Sequence, residues 1–335
     1  MRQAAKGEVA IVEKSDKLFK RSINRRNFLA GVGAVGAASA MAGCAGGTVV
    51  NHPTSGAVTD TDILNFALNL EYLEAEFYLR AATGSGLATA DIGTNPGAVT
   101  GGAKVTGLTT AQQNILNEIA YDEQQHVRFL RSALGSAAVA RPAIDLTNSF
   151  NALASAAGIG STFNPFTNFD TFAVGAFVFE DVGVTAYSGA APLISNAGIT
   201  SGLLSAAAGI LAVEAYHAAY IRTYLTAQAI ASSSYAYLGY ANKVSTLRGT
   251  LGGGNETPLT VPSGTLSLTA VVTPSAIVAA TTQNAIAFAR TTDQVLHIVY
   301  GTLSNTAGAT TSAAGVAKGA FFPNGLNGNI TVTQS

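Results

Sequence analysis

The chain has 335 residues, of which 48% are hydrophobic and only 11% charged, with four His, one Cys, no Trp and a formal net charge of -1. That length allows one large domain or two small ones. A single Cys excludes a disulfide framework and a Cys-rich zinc or iron–sulfur site. The near-neutral balance excludes a basic phosphate-seeking surface, so no nucleic-acid partner is expected. Charge this sparse makes each carboxylate informative, because one placed on an apolar helix face needs a reason to be there.

Residues 1–43 hold eight of the 18 basic residues and three of the 19 acidic ones, so the remainder carries 10 basic against 16 acidic and stands near -6. Within that segment Asn24-Arg25-Arg26-Asn27-Phe28-Leu29 precedes an uncharged run, Ala30 to Ala42. The run has about 13 residues, too short to cross ~30 Å of hydrocarbon. A basic region, a short apolar run and a small-residue exit describe a secretory signal. The arginine pair resembles a twin-arginine signal. Residues 1–43 are therefore expected to be a signal peptide that sends the chain to the periplasm or cell envelope. The only Cys ends it, in Met41-Ala42-Gly43-Cys44, which resembles a lipobox. A lipidated Cys44 would tether the protein to a membrane. Met41 stands where such boxes usually carry Leu, and Ala38-Ser39-Ala40 offers a competing cleavage site.

Residues 44–58 read as a Gly/Thr/Pro-rich tether. Asp60-Thr61-Asp62 then offers helix-capping chemistry ahead of a helix over Ile63–Ala82, whose inner face carries Leu70, Glu71, Glu74, Phe77 and Tyr78. Glu76 falls on the other face, four residues before Arg80, and is expected to form an exposed ion pair with it. A loop over 83–108 leads to a second helix, capped by Thr109 or Thr110 and stopped by Gly135. Residues 136–168 form a long connection with a short helix near Ser149–Ala156. A third helix runs from Asp170 to Gly189 with Pro192 beyond it, and a fourth from Ser201 to Ala231. One long crossover between the second and third helices is the ferritin-like variant of the four-helix bundle. The predicted bundle is thus all-α and spans 59–231. Residues 232–335 form a loop-rich extension, with a hairpin suggested within 260–272 and a fifth helix over Asn284–Tyr300.

Two segments share one motif. Glu123-Gln124-Gln125-His126 is followed by Phe129 and Arg131, and Glu214-Ala215-Tyr216-His217 by Tyr220 and Arg222. On a helix, positions three apart lie on one face at about 5–6 Å, so carboxylate and imidazole can address one metal ion. The other two helices share a second motif, Glu71 with Tyr78 and Glu180 with Tyr187. With ten Glu in 335 residues, about 0.1 Glu-x-x-His pairs are expected by chance against the two present. The series Glu, Glu-x-x-His, Glu, Glu-x-x-His is the ligand set of di-iron and di-manganese carboxylate proteins. Its alternation reads as a duplication in which two Glu bridge the ions and each remaining Glu and His completes one. Oxygen-rich ligation with one imidazole per ion suits Mn or Fe. The bland alternative is a pair of satisfied core histidines beside surface glutamates.

Glu74 competes with Glu71 as the first-helix ligand, and Glu71 is preferred for its Tyr seven residues on. Asp122, Glu118 and Asp181 are expected to support the ligands or face solvent, with Arg131 and Arg222 either paired with them or solvated. Tyr78 and Tyr187 are the catalytic candidates, as donors to a metal-bound oxygen or carriers of redox equivalents, with a plain core role as the alternative. His52 and His297 have no matching Glu and are expected to be structural or exposed.

With these residues in view, the chain resembles ferritin-like-domain proteins, in particular the branch that includes plant and bacterial desiccation-related proteins. The resemblance covers roughly 59–231 and extends to the fifth helix, Gln294-Val295-Leu296 to Tyr300-Gly301. It implies two Fe or Mn ions held by Glu71, Glu123, His126, Glu180, Glu214 and His217. It further implies reaction with O2 or hydrogen peroxide, metal storage without turnover, or a structural stress role on the same scaffold, with a homo-oligomer left open.

Overall fold

The computed structural model describes residues 58–261, 277–301 and 318–331. The arginine pair, Cys44, His52, nearly all of the tether and most of the suggested hairpin lie outside the described residues.

Eight helices order the described chain: α1 (Asp60–Thr83), α2 (Thr110–Leu134), α3 (Asn148–Ala156), α4 (Phe169–Ala190), α5 (Asn196–Ser201), α6 (Leu203–Ala231), α7 (Tyr237–Leu251) and α8 (Thr292–Tyr300). α1 packs along α2 and α4 along α6, and the two pairs meet as a four-helix bundle. The strands β1 (Val99–Thr100) and β2 (Ile144–Asp145) form a short parallel pair that ties the first loop to the crossover.

The caps explain the starts. Thr59 accepts from the Asp62 amide while Asp62 accepts from the Thr59 amide, and Thr109 with Gln112 does the same for α2. Each box satisfies two amides that a helix start leaves bare. α1 therefore begins at Asp60, earlier than expected, and α4 is capped by Asn168 rather than opened at Asp170. The predicted fourth helix is α6, which runs from Leu203 to Ala231. Gly202, at φ 94°, ends α5 and α6 begins after it. A side chain would strain that left-handed backbone, which Gly adopts freely. By length and composition α6 is apolar enough to cross a membrane. Its only charged residues, Glu214 and Arg222, are buried against the bundle.

Phe77 of α1 is the hub of the core, with Tyr78, Phe150, Phe166, Phe172 and Phe179 all within 5.8 Å between ring centroids. Phe150 comes from α3 in the crossover, and Phe321 from the C-terminal segment reaches it at 5.2 Å. The crossover and the extension thus complete the core.

The extension is more helical and more charged inside than the sequence suggests. Residues 237–251 form α7 where loops are expected, and α8 begins at Thr292 rather than Asn284. Arg248 of α7 lies over the Phe177 ring at 4.5 Å. It pairs with Asp181 of α4 at 3.0 Å and with Glu256 at 2.8 Å. Arg222 joins Asp181 at 2.9 Å and Arg290 joins Glu256 at 2.6 Å. Arg290 also donates to Thr185, and its backbone amide bonds the Thr185 carbonyl. These bonds keep the chain before α8 extended along α4.

Glu76 corrects another expectation. It is fully buried and holds two guanidiniums, Arg80 at 2.9 Å and Arg141 from the crossover. Arg141 continues to the Gly97 carbonyl at 2.7 Å. This ion triad, on the side of α1 away from the inner carboxylates, fastens the crossover to the bundle.

Candidate metal centre

The four long helices bring five carboxylates and two imidazoles together. α1 supplies Glu71 and Glu74, α2 supplies Glu123 and His126, α4 supplies Glu180, and α6 supplies Glu214 and His217. All seven are buried, none more than 8% exposed. Their donor atoms fall into three groups, each within 4.8 Å: Glu71, Glu123, His126 and Glu214; Glu123, Glu180 and His217; and Glu74, Glu180 and Glu214.

Glu123 sits at the centre. Its Oε2 lies 3.4 Å from His126 Nδ1 and its Oε1 lies 3.0 Å from His217 Nδ1. His126 Nδ1 also lies 3.2 Å from Glu71 and 3.7 Å from Glu214, and His217 Nδ1 lies 3.7 Å from Glu180. Several of these approaches lack hydrogen-bond alignment. Both Glu123 oxygens, Glu74 Oε2, Glu180 Oε2, Glu214 Oε2 and His217 Nδ1 are buried without a hydrogen-bond partner. Orphaned lone pairs are costly in a core unless something charged meets them. Two Nδ1 atoms among converging carboxylate oxygens, with no sulfur, fit a hard or borderline cation.

Both tyrosines reach the cluster, and they do so crosswise. The Tyr78 hydroxyl of α1 donates to Glu180 of α4, and the Tyr187 hydroxyl of α4 donates to Glu71 of α1. Each half of the duplication therefore orients the single Glu of the other half.

The surroundings of the imidazoles differ. His217 Nε2 meets Asp122 at 3.3 Å, and Asp122 stands directly before Glu123. The matching position before Glu214 is Val213. Arg222 pairs with Asp181 as expected, whereas Arg131 donates to the Tyr72 hydroxyl at 2.6 Å rather than to a carboxylate. Glu118 is exposed and His297 is buried away from the cluster.

The electrostatics follow from burial and crowding. Burial, the largest influence, pushes Glu74 and Glu214 well above the usual carboxylate range, and neighbouring carboxylates add to it. Burial likewise raises Glu71, against the pull of His126, and lifts Glu180 to about 8. For Glu123 burial is outweighed by the two imidazoles, which hold it down at about 2. His126 rises to about 11 and His217 to about 10, because Glu71, Glu180 and Glu123 overcome the burial that opposes their charge. The metal-free centre therefore stores protons at neutral pH, and a bound cation must displace them.

The structure brings all six predicted ligands and both predicted tyrosines to one place, and it adds Glu74 to Glu71 where the sequence weighed one against the other. The signal for Glu74 was its position on the same helix face, three residues beyond Glu71.

A bundle of this topology, with carboxylates and imidazoles from its facing helices converging on one buried cluster, is a scaffold that could hold metal ions. The chain belongs to the ferritin-like domain family, whose profile matches residues 59–227. Among characterised proteins it is 30% identical over 284 residues to the ferritin-like catalase Nec2 of Nesocodon mauritianus, covering 81% of this chain and 84% of that protein. It is 31% identical over 258 residues to the desiccation-related protein PCC13-62 of Craterostigma plantagineum, covering 71% and 76%.

Proposed function

We propose that this chain is an exported dimetal-carboxylate protein that removes hydrogen peroxide. The carrying observation is the split Glu123 carboxylate, with one oxygen toward each imidazole and Glu71, Glu180 and Glu214 completing the two groups. Glu71, Glu123, His126, Glu180, Glu214 and His217 would hold two Fe or Mn ions. Such a pair, when bound, supplies two-electron chemistry toward the O–O bond.

The chain's own residues supply the rest. Tyr78 and Tyr187 fix Glu180 and Glu71 through their hydroxyls and place a proton beside each carboxylate. Asp122 holds His217 Nε2, which leaves Nδ1 facing the cluster. The phenylalanine core around Phe77 excludes bulk water from that side. The name of the catalase relative supports peroxide as the substrate, and that of the desiccation-related relative supports a stress setting.

Export rests on the Arg25-Arg26 signal, and lipid attachment at Cys44 would anchor the mature chain to the envelope. Conservative replacement of both arginines by Lys should leave precursor in the cytoplasm.

The test of the activity is O2 evolution from peroxide by Mn-loaded and Fe-loaded protein, measured with an oxygen electrode. Glu123→Ala combined with His217→Ala should abolish both metal content and O2 release. Full metal occupancy with neither peroxide decay nor Fe(II) oxidation would replace this reading by metal storage. Unchanged metal content in the double variant would remove the metal centre altogether.

A further inference from the structure

The two halves of the cluster are nearly equivalent. Glu71 with Tyr78 on α1 matches Glu180 with Tyr187 on α4, and each half contributes one Glu-x-x-His. Glu74 breaks the match. It follows Glu71 by three, and the residue three beyond Glu180 is Gly183.

That glycine is needed where it is. A Cβ there would lie 2.2 Å from Glu214 Oε2 and 3.5 Å from Glu74 Oε1. The bare backbone of α4 lets Glu214 close over it, with Glu74 at ordinary contact distance. Glu74, Glu214 and Glu180 then present oxygens within 4.8 Å of one another. Each of the three carries an Oε2 that is buried without a hydrogen-bond partner.

We propose that Glu74, Glu180 and Glu214 form a third, all-oxygen cation position beside the two that carry an imidazole. The proposal rests on the metal-centre reading above. Its geometry is a triangle of shared ligands. Glu123 belongs to both imidazole groups, Glu214 to the His126 group and the new one, and Glu180 to the His217 group and the new one. Each pair of positions is thus joined by one carboxylate. With no nitrogen or sulfur donor, the third position takes a hard divalent cation, of the Mn(II) or Mg(II) class.

The test counts ions. Chelator-stripped protein is titrated with Mn(II), and the bound ions are counted by native mass spectrometry, with the thermal melt of each sample as a check on folding. Wild type should bind three, and Glu74→Gln, which keeps the shape and removes the charge, should bind two. A wild-type count of two overturns the third position and leaves the two-ion centre standing. A count of three that persists in Glu74→Gln overturns the role of Glu74 and with it the proposal. A wild-type count below two overturns the metal-centre reading as well. The wild-type count needs no variant, so a misfolded Glu74→Gln would not rescue the proposal.

Discussion

Replacing Glu76 by Gln should be among the most destabilising single changes outside the metal centre. Gln keeps the volume and can still accept from the Leu87 amide, which approaches at 3.4 Å. It removes the charge that faces Arg141 and Arg80. The Arg141 side chain is 10% exposed and that of Arg80 22% exposed. Stripping the partner from a buried ion costs about 3–5 kcal/mol, which is the Arg141 part. The Arg80 part, discounted for solvent, adds at most about 1 kcal/mol. A domain of this size loses about 2–4 °C of melting temperature per kcal/mol, so Arg141 alone predicts a drop of roughly 6–20 °C in metal-free protein. Urea denaturation of Glu76→Gln, Arg141→Met and the double variant measures the coupling. The double variant should be more stable than Glu76→Gln alone, because it leaves no uncompensated buried charge. A Glu76→Gln cost under about 1 kcal/mol, or simple additivity in the cycle, would refute the reasoning.

Three further outcomes follow from the centre. Asp122→Asn should weaken metal affinity at the His217 position by roughly 10–100-fold and spare the His126 position; an equal loss at both, in a stepwise titration, contradicts the asymmetry. Tyr78→Phe and Tyr187→Phe should each cost about 1–2 kcal/mol in metal-free protein, read by denaturant midpoints, and a neutral effect of both would show that the crossed hydroxyls do not hold the carboxylates. The pH dependence has a definite sign. His126 at about 11 and His217 at about 10 stand above the ordinary 6.5, and Glu180 at about 8 above the ordinary 4.5. Stability from these raised groups is complete below their unfolded values and is lost as pH rises through the folded ones. Metal-free protein should therefore melt lower at pH 9 than at pH 6, while metal affinity rises over the same range as protons are released. A metal-free melting temperature that climbs from pH 6 to 9 would contradict the assignment.

Local signals made part of this molecule readable from its residues. The 3.6-residue spacing, the Thr109 and Gly135 boundaries and the two Glu-x-x-His motifs are all contained within single helices, so the bundle and the predicted donors could be placed without knowing what packs where. Features that depend on distant partners were not readable in that way. Glu76 looked like a surface residue because Arg80 is four residues away, whereas Arg141, the partner that explains its burial, is 65 residues away in the crossover. α7 contains Gly239 and Gly249 and lacks a clear apolar stripe. It is held by Arg248 on Phe177 and Asp181, contacts that exist only after α4 has folded. The early start predicted for α8 failed for a related reason, since Arg290 is committed to Glu256 and Thr185. Glu74 was visible on the inner face, but its inclusion depends on Glu180 and Glu214, residues of two other helices.

The crossed tyrosines have a consequence for assembly. Neither the α1–α2 hairpin nor the α4–α6 hairpin has its candidate ligands fully oriented alone, because Glu71 and Glu180 each rely on a hydroxyl from the other hairpin. A half-folded chain would present loose carboxylates that bind cations weakly and without selectivity. Tight capture needs both hairpins docked and in register. Metal uptake at such a centre would therefore read out completed folding, and a compartment that supplied the ion would also proofread the chain.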